Sequence, residues 1–239
     1  MRGRNLIVVA GLAAGCALVG SEVRAQPAPN PVPLAADASE FARHFAPPGT
    51  TAGAPDADGF IRRWLLLEPI DKPNRSNAGF TGSYVREALA PPAFAGNLLN
   101  VPRDGSVVTA GEPLRWHALD SRSFDVRLFN FAQGLGKRTY GVIFWAATVI
   151  DSPVERRNVR MALGSNSASI WWLNGKEAAG LFDDRRMVMD DVVSPRLTLR
   201  KGRNVVWGAV INGPGLSDFC VRFLDDQGAP IRGLAVRTR

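Results

Sequence analysis

Cysteine and histidine are scarce in this chain: its 239 residues hold two of each. The cysteines stand at 16 and 220, and Cys16 lies in a leader-like segment, so the remaining chain keeps Cys220 alone and can form no internal disulfide. The two histidines, His44 and His117, are too few for a His-based zinc centre, and Cys220 has no companion for a thiolate one. No Gly-x-Ser-x-Gly elbow is present, which leaves nucleophilic catalysis without its usual nucleophile and base. Basic blocks interleaved with aromatics are missing too. The net charge of +7 is spread along the chain, which argues for weak attraction to anionic surfaces and against a nucleic-acid partner.

One long uncharged apolar run exists, Leu6 to Gly20. It follows Met1-Arg2-Gly3-Arg4 and precedes Ser21-Glu22-Val23-Arg24-Ala25-Gln26, the basic, apolar, small-residue order of a secretory signal cleaved after Ala25. The run is short and rich in Ala and Gly for a membrane anchor, so the cleaved chain is expected to be periplasmic or secreted, not transmembrane. A competing reading takes Ala13-Ala14-Gly15-Cys16 as a lipoprotein box with Cys16 acylated. Against it, Ala13 is smaller than that pattern wants, and the apolar run continues through Ala17-Leu18-Val19.

Residues 26–59 alternate proline with small residues, in Gln26 to Pro33 and again in Pro47 to Pro55, and read as a linker. Within it, Asp37 and Glu40 stand three residues apart at the head of a possible short helix running to Phe45. Structure proper is expected from Phe60, where Phe60 to Leu67 is an apolar run of strand length stopped near Pro69. Asp71 to Asn100 is a long connection with one possible helix around Ser83 to Leu89, and a connection of that length is either functional or mobile.

From Arg115 onward strand signals come regularly. Tyr140 to Ile150 reads as a strand buried on both faces, and Val159, Met161 and Leu163 alternate with Arg160 and Ala162. Ser169 to Leu173 runs into Asn174-Gly175, the pair best suited to the positive φ angles of a two-residue hairpin. Further strands are expected at Met187 to Met189, Val192 to Leu199, Asn204 to Ile211 and Asp218 to Leu224. The fold class is therefore all-β, an antiparallel sandwich over residues 60–239 with a short helix and an irregular N-terminal extension.

Leu163-Gly164-Ser165-Asn166, Ile170-Trp171-Trp172-Leu173-Asn174-Gly175-Lys176, Leu199 to Val206 and Phe219-Cys220-Val221-Arg222-Phe223 follow one another in an order that resembles the galactose-binding-domain-like jelly rolls, accessory or carbohydrate-binding modules of bacterial glycoside hydrolases and related exported proteins. Trp64 to Pro69 and Arg115-Trp116-His117 look like that family's opening strand and its Trp-containing strand. The resemblance implies a jelly-roll sandwich and a glycan ligand, with calcium as the metal the family pattern would bring. Where the family has two acidic residues after Gly-Ser, this chain has Asn166-Ser167, a poorer cation site than two carboxylates.

Candidate ligand-binding residues follow. Trp171 and Trp172 are adjacent in a strand and point to opposite faces; with Trp171 in the core, a solvent-facing Trp172 would offer a platform for a sugar ring, unless a loop covers it. Asn166 sits in the family's turn. Asp183-Asp184 and Asp190-Asp191, like Asp225-Asp226, are carboxylate pairs near turns; such pairs suit calcium or glycoside hydrolysis when they converge, but commonly just begin turns. His117 reads as a packed or surface histidine and Cys220 as a small buried apolar residue. The leading expectation is an exported, non-catalytic module that binds a polysaccharide or envelope glycan, with a larger exported protein as partner and no resident cofactor. The alternatives are a polysaccharide-directed hydrolase or esterase working through residues 71–100, and a structural subunit of an envelope complex.

Overall fold

A computed structural model describes residues 35–74 and 76–239; the leader-like segment with its cleavage site and Cys16, and the first part of the proline-rich stretch, lie outside the described residues. The chain folds as an all-β antiparallel sandwich of two sheets. The larger sheet holds β1 (Phe45–Ala46), β2 (Arg63–Leu67), β3 (Ile70–Asp71), β4 (Val107–Ala110), β5 (Glu112–Ser121), β7 (Val142–Ser152), β9 (Ala168–Leu173), β10 (Lys176–Leu181), β13 (Gly202–Asn212) and β15 (Ala235–Arg237). The smaller holds β6 (Val126–Arg127), β8 (Arg156–Ser165), β11 (Val192–Val193), β12 (Leu197–Leu199) and β14 (Asp218–Leu224). Strand order is β1-β5-β2-β7-β13-β9-β10 in the first, with β4 on β5 and both β3 and β15 on β7, and β11-β8-β14-β6 in the second, with β12 on β8.

Because side chains alternate along a strand, the larger sheet presents two apolar faces, and both are buried. Trp64, Leu66, Phe144, Trp171 and Val206 point one way and meet Met161, Leu163, Phe219 and Val221 of the smaller sheet. Leu65, Trp116, Trp145, Trp172 and Trp207 point the other way and are covered by Phe80, Val85, Leu89, Ala95 and Leu98. Those five covering residues all come from the long connection between β3 and β4. It contains α2 (Gly82–Ala88), capped by the Thr81 hydroxyl and started one residue earlier than the sequence suggests. Every residue of β7 except Asp151 is buried, as its unbroken apolar run requires.

Trp171 shows how closely the inner core is fitted. Its ring packs on Phe219 at 4.9 Å between centroids and edge-on to Trp64 at 5.9 Å, and its indole nitrogen donates to Ser169 Oγ at 3.0 Å. Gly208 lies opposite it in register, and a Cβ there would fall 2.2 Å from the ring. The glycine is thus the space the indole fills. The β9–β10 turn is built as its Asn-Gly pair dictates, with φ of 52° at Asn174 and 79° at Gly175. Asn174 also locks the turn to β13, its side-chain oxygen accepting from Val205 N at 2.9 Å.

Several expectations change on folding. The stretch expected as the strand Met187 to Met189 has no strand pairing; it crosses the smaller sheet as a loop, and the Val188 carbonyl lies so near Gly164 that a Cβ there would be 2.0 Å away. The expected strand Val192 to Leu199 is split into β11 and β12 because Pro195 has no N–H to donate, and Ser194 bridges the gap by donating its N–H to Met161 O and accepting from Met161 N at its hydroxyl, both at 2.9 Å. Asp37 caps α1 (Ala38–His44), accepting from Ser39 N at 2.9 Å and Glu40 N at 3.0 Å. The stretch after it, read as linker, is tied down: β1 pairs with β5, and Gly53 pairs with Val236. Phe41 and Phe45 pack on Phe131 of α3 (Leu128–Gly134), a helix that no periodicity announced.

Candidate functional site

Four loops converge at one end of β13 to form a polar crevice of about 510 Å³: the turn around Asn77, the β8–β9 turn at Asn166-Ser167, the segment Asp184 to Met187, and the β13–β14 turn Pro214 to Leu216. Asn212, the last residue of β13, is fully buried and organises the floor. Its amide nitrogen donates to Thr139 O at 3.1 Å, Gly215 O at 3.1 Å and Ser217 Oγ at 3.2 Å, while its oxygen accepts from Ser167 Oγ at 3.0 Å. Asn77 reaches in from the long connection. Its oxygen accepts from Gly213 N at 2.9 Å, and its nitrogen is shared by Asp184 Oδ1 at 2.8 Å, Pro214 O at 3.2 Å and Ser167 Oγ at 3.3 Å. A Cβ at Gly213 would stand 2.4 Å from Asn77 Oδ1, so the glycine is what lets this amide approach.

The charged groups of the crevice are Asp184, Arg185, Arg186 and Asp218. Burial, reinforced by repulsion from the Asp125 carboxylate and opposed by Arg127, pushes the Asp218 carboxyl up to about 6. Its Oδ1 is buried with no hydrogen-bond partner among the described residues. Near neutral pH this group loses its proton within a partly desolvated wall.

The structure brings two of the candidate residues into the crevice and sends the others elsewhere. Asn166 lines it, with its side-chain oxygen accepting from Asp218 N at 3.0 Å, and Asp184 lines it as described. Asp183 is an exposed turn residue with φ of 69°, its N–H donating to Phe80 O at 2.9 Å. Asp190 is bound by Arg222, with Nε at 3.0 Å from Oδ1, and Asp191 by Arg185, with Nε at 2.8 Å from Oδ2. Asp225 caps its own turn, accepting from Gln227 N at 3.0 Å and Ala229 N at 2.8 Å, and Asp226 pairs with Arg196 at 3.2 Å. The acidic pairs therefore do not converge. Trp172 is corrected outright as a solvent-facing platform: it is only 6% exposed, stacked on Trp145 at 5.7 Å beneath the long connection.

A calcium ion does not fit the Asn166-Ser167 turn, because both side-chain oxygens already serve internal hydrogen bonds, and no group of three or more His, Cys, Asp or Glu suited to a metal occurs among the described residues. The histidines are held by carboxylates. His44 Nε2 lies 3.0 Å from Glu40, and His117 Nε2 lies 3.2 Å from Glu68, which also binds Lys137 at 3.1 Å. Cys220 is buried, and that burial, then the nearby Asp190 charge, pushes its thiol up to about 12, away from the reactive thiolate.

Asn77 and Asn212 are the residues organising the crevice that sequence reading missed. Lone asparagines beside glycine read as turn formers, and nothing in one dimension joins residue 77 to residue 212. No helix among the described residues is long and apolar enough to cross a membrane.

No family model matches the sequence, and no curated protein matches it significantly. Among solved structures the chain is similar to a PA14 sugar-binding domain from an RTX adhesin, with a TM-score of 0.40 and 11% identity over 72% of this chain and 94% of that one. It is similar to the same degree to the PA14 domain of the MpAFP antifreeze protein, with a TM-score of 0.40 and 10% identity over 80% of this chain and 99% of that one.

Proposed function

We propose that the chain is an exported, non-catalytic module that binds a glycan in the crevice around Asn77, Asn166, Asp184, Arg185, Arg186 and Asp218. The observation that carries this reading is the chemistry of the crevice: amides, carboxylates and guanidinium groups crowd one concave site, and fixed donors and acceptors at several angles suit a molecule rich in hydroxyls. The non-catalytic character proposed here fits what the reactive groups already do. Both histidines are tied to carboxylates, and the buried thiol stays protonated. Export rests on the leader-like order of residues 1–25, and the galactose-binding-like resemblance of Leu163 to Phe223 points to the same ligand class.

The test is affinity electrophoresis against a panel of plant and bacterial polysaccharides, with the wild type, Asp184→Asn, Arg186→Ala and Asn166→Ala. At least one polysaccharide should retard the wild type, and each substitution should weaken that retardation, by about threefold to tenfold where a neutral hydrogen bond is lost and by about tenfold or more where the partner is charged. Wild-type mobility unchanged across the panel, or retardation indifferent to all three substitutions, rejects the crevice as a glycan site. A second reading, attachment to a larger exported protein, is favoured by Val188, Met189 and Leu216, which flank the crevice at 54–55% exposure. Co-purification lost on Met189→Asp with glycan retention intact would support it.

A further inference from the structure

We propose that a second site, sharing no residue with the crevice, takes a compact aromatic molecule bearing a carbonyl acceptor, in a groove of about 370 Å³ between the end of the long connection and the larger sheet. Its lining includes Phe94, Asn97, Asn100, Val108, Trp116 and Trp207.

Three observations converge there. The first is an unsatisfied donor. Trp64, Trp171 and Trp207 donate their indole N–H groups to Ile61 O at 2.8 Å, Ser169 Oγ at 3.0 Å and Asn100 O at 3.0 Å. Trp116, fully buried, has no acceptor for its Nε1–H among the described residues. A buried N–H without an acceptor is a standing cost, which an incoming carbonyl oxygen would remove. The second is the shape and polarity of the walls. Phe94 meets Trp116 edge-on at 6.3 Å and Trp116 meets Trp207 edge-on at 5.7 Å, so the groove is bounded by rings, with the Asn97 and Asn100 amides near its rim. Rings with one donor and a few amides suit a flat apolar body with one acceptor.

The third observation concerns the covering loop. Leu98 is buried at 3% exposure yet holds φ at 59°, a region that a leucine rarely adopts. It is kept there by its own N–H donating to Ala95 O at 3.0 Å and by burial against the larger sheet's outer face. Backbone held in this way clusters at ligand clamps. The left-handed turn at Leu98 is the strained point of the loop beside this groove.

The test uses the full chain labelled with ¹⁵N, whose six tryptophans give six indole signals. Acetophenone and cumene are titrated in parallel; they match in size and number of heavy atoms, and only acetophenone has an acceptor. The Trp116 signal, assigned by its loss in Trp116→Phe, should move downfield and saturate with acetophenone. Cumene should bind about fivefold more weakly without that downfield move, the worth of one hydrogen bond. Trp116→Phe should bind both ligands alike. The inference is overturned if acetophenone leaves the Trp116 signal in place up to millimolar concentration, or if cumene moves it equally. If the variant does not fold, the wild-type pair of titrations still decides.

Discussion

Replacing Asp218 by Asn should make the protein more stable at neutral pH and leave it unchanged in acid. The carboxyl is pushed up to about 6 in the folded chain from an ordinary aspartate value of 3.8, because burial and the Asp125 charge disfavour its ionised form. A group whose folded pKa is raised holds its proton more tightly when folded. Its penalty is absent below the unfolded value, grows as pH rises from about 4 to 6, and is complete above. That difference is worth roughly 3 kcal/mol, an upper value because the Asn amide brings N–H donors that the buried wall must also satisfy. Urea denaturation of wild type and Asp218→Asn at pH 3.5 and pH 7.5 measures it. Other carboxylates weaken both proteins alike in acid, so the quantity of interest is the difference between them. A variant equally stable or less stable at pH 7.5, or an advantage of the same size at both pH values, would refute the argument.

Three further outcomes follow from the packing. Trp172→Ala should cost about 3–5 kcal/mol of stability, read by denaturant melts, while leaving any glycan retention of the folded fraction intact. Gly208→Ala should destabilise by about 1–3 kcal/mol or more, since the added methyl meets the Trp171 ring, and near-ultraviolet circular dichroism should register the displaced indole. Cys220 should resist a thiol reagent in the native protein at pH 8 and react fully in urea; fast native labelling would contradict its burial and its raised pKa.

Local signals in the sequence located the strands well wherever turn chemistry and period agreed. Asn174-Gly175 marked its hairpin, and the alternation of Val159, Met161 and Leu163 marked the core face of β8. Reading failed where tertiary partners decide. Met187 to Met189 has strand-like residues but finds no neighbour to pair with, because β11 and β14 already flank β8. Trp172 looked available because a strand's second face is open until something covers it, and the cover lies some 80 residues earlier in the chain, in Phe80 to Leu98. The crevice was half legible. Asn166 and Asp184 were candidates from turn chemistry, whereas Asn77 and Asn212 acquire meaning through hydrogen bonds spanning up to 137 positions.

The double burial of the larger sheet also constrains how a partner can be met. A sandwich with one open sheet can lay a long polymer across a broad, curved surface and grip many units at once. Here the smaller sheet occupies one face and the β3–β4 connection the other, so neither face of the larger sheet is open to visitors. A chain-like partner taken up in the crevice would therefore be met at its tip or at a protruding branch, and affinity for long polymers would have to come from several copies acting together rather than from one extended grip.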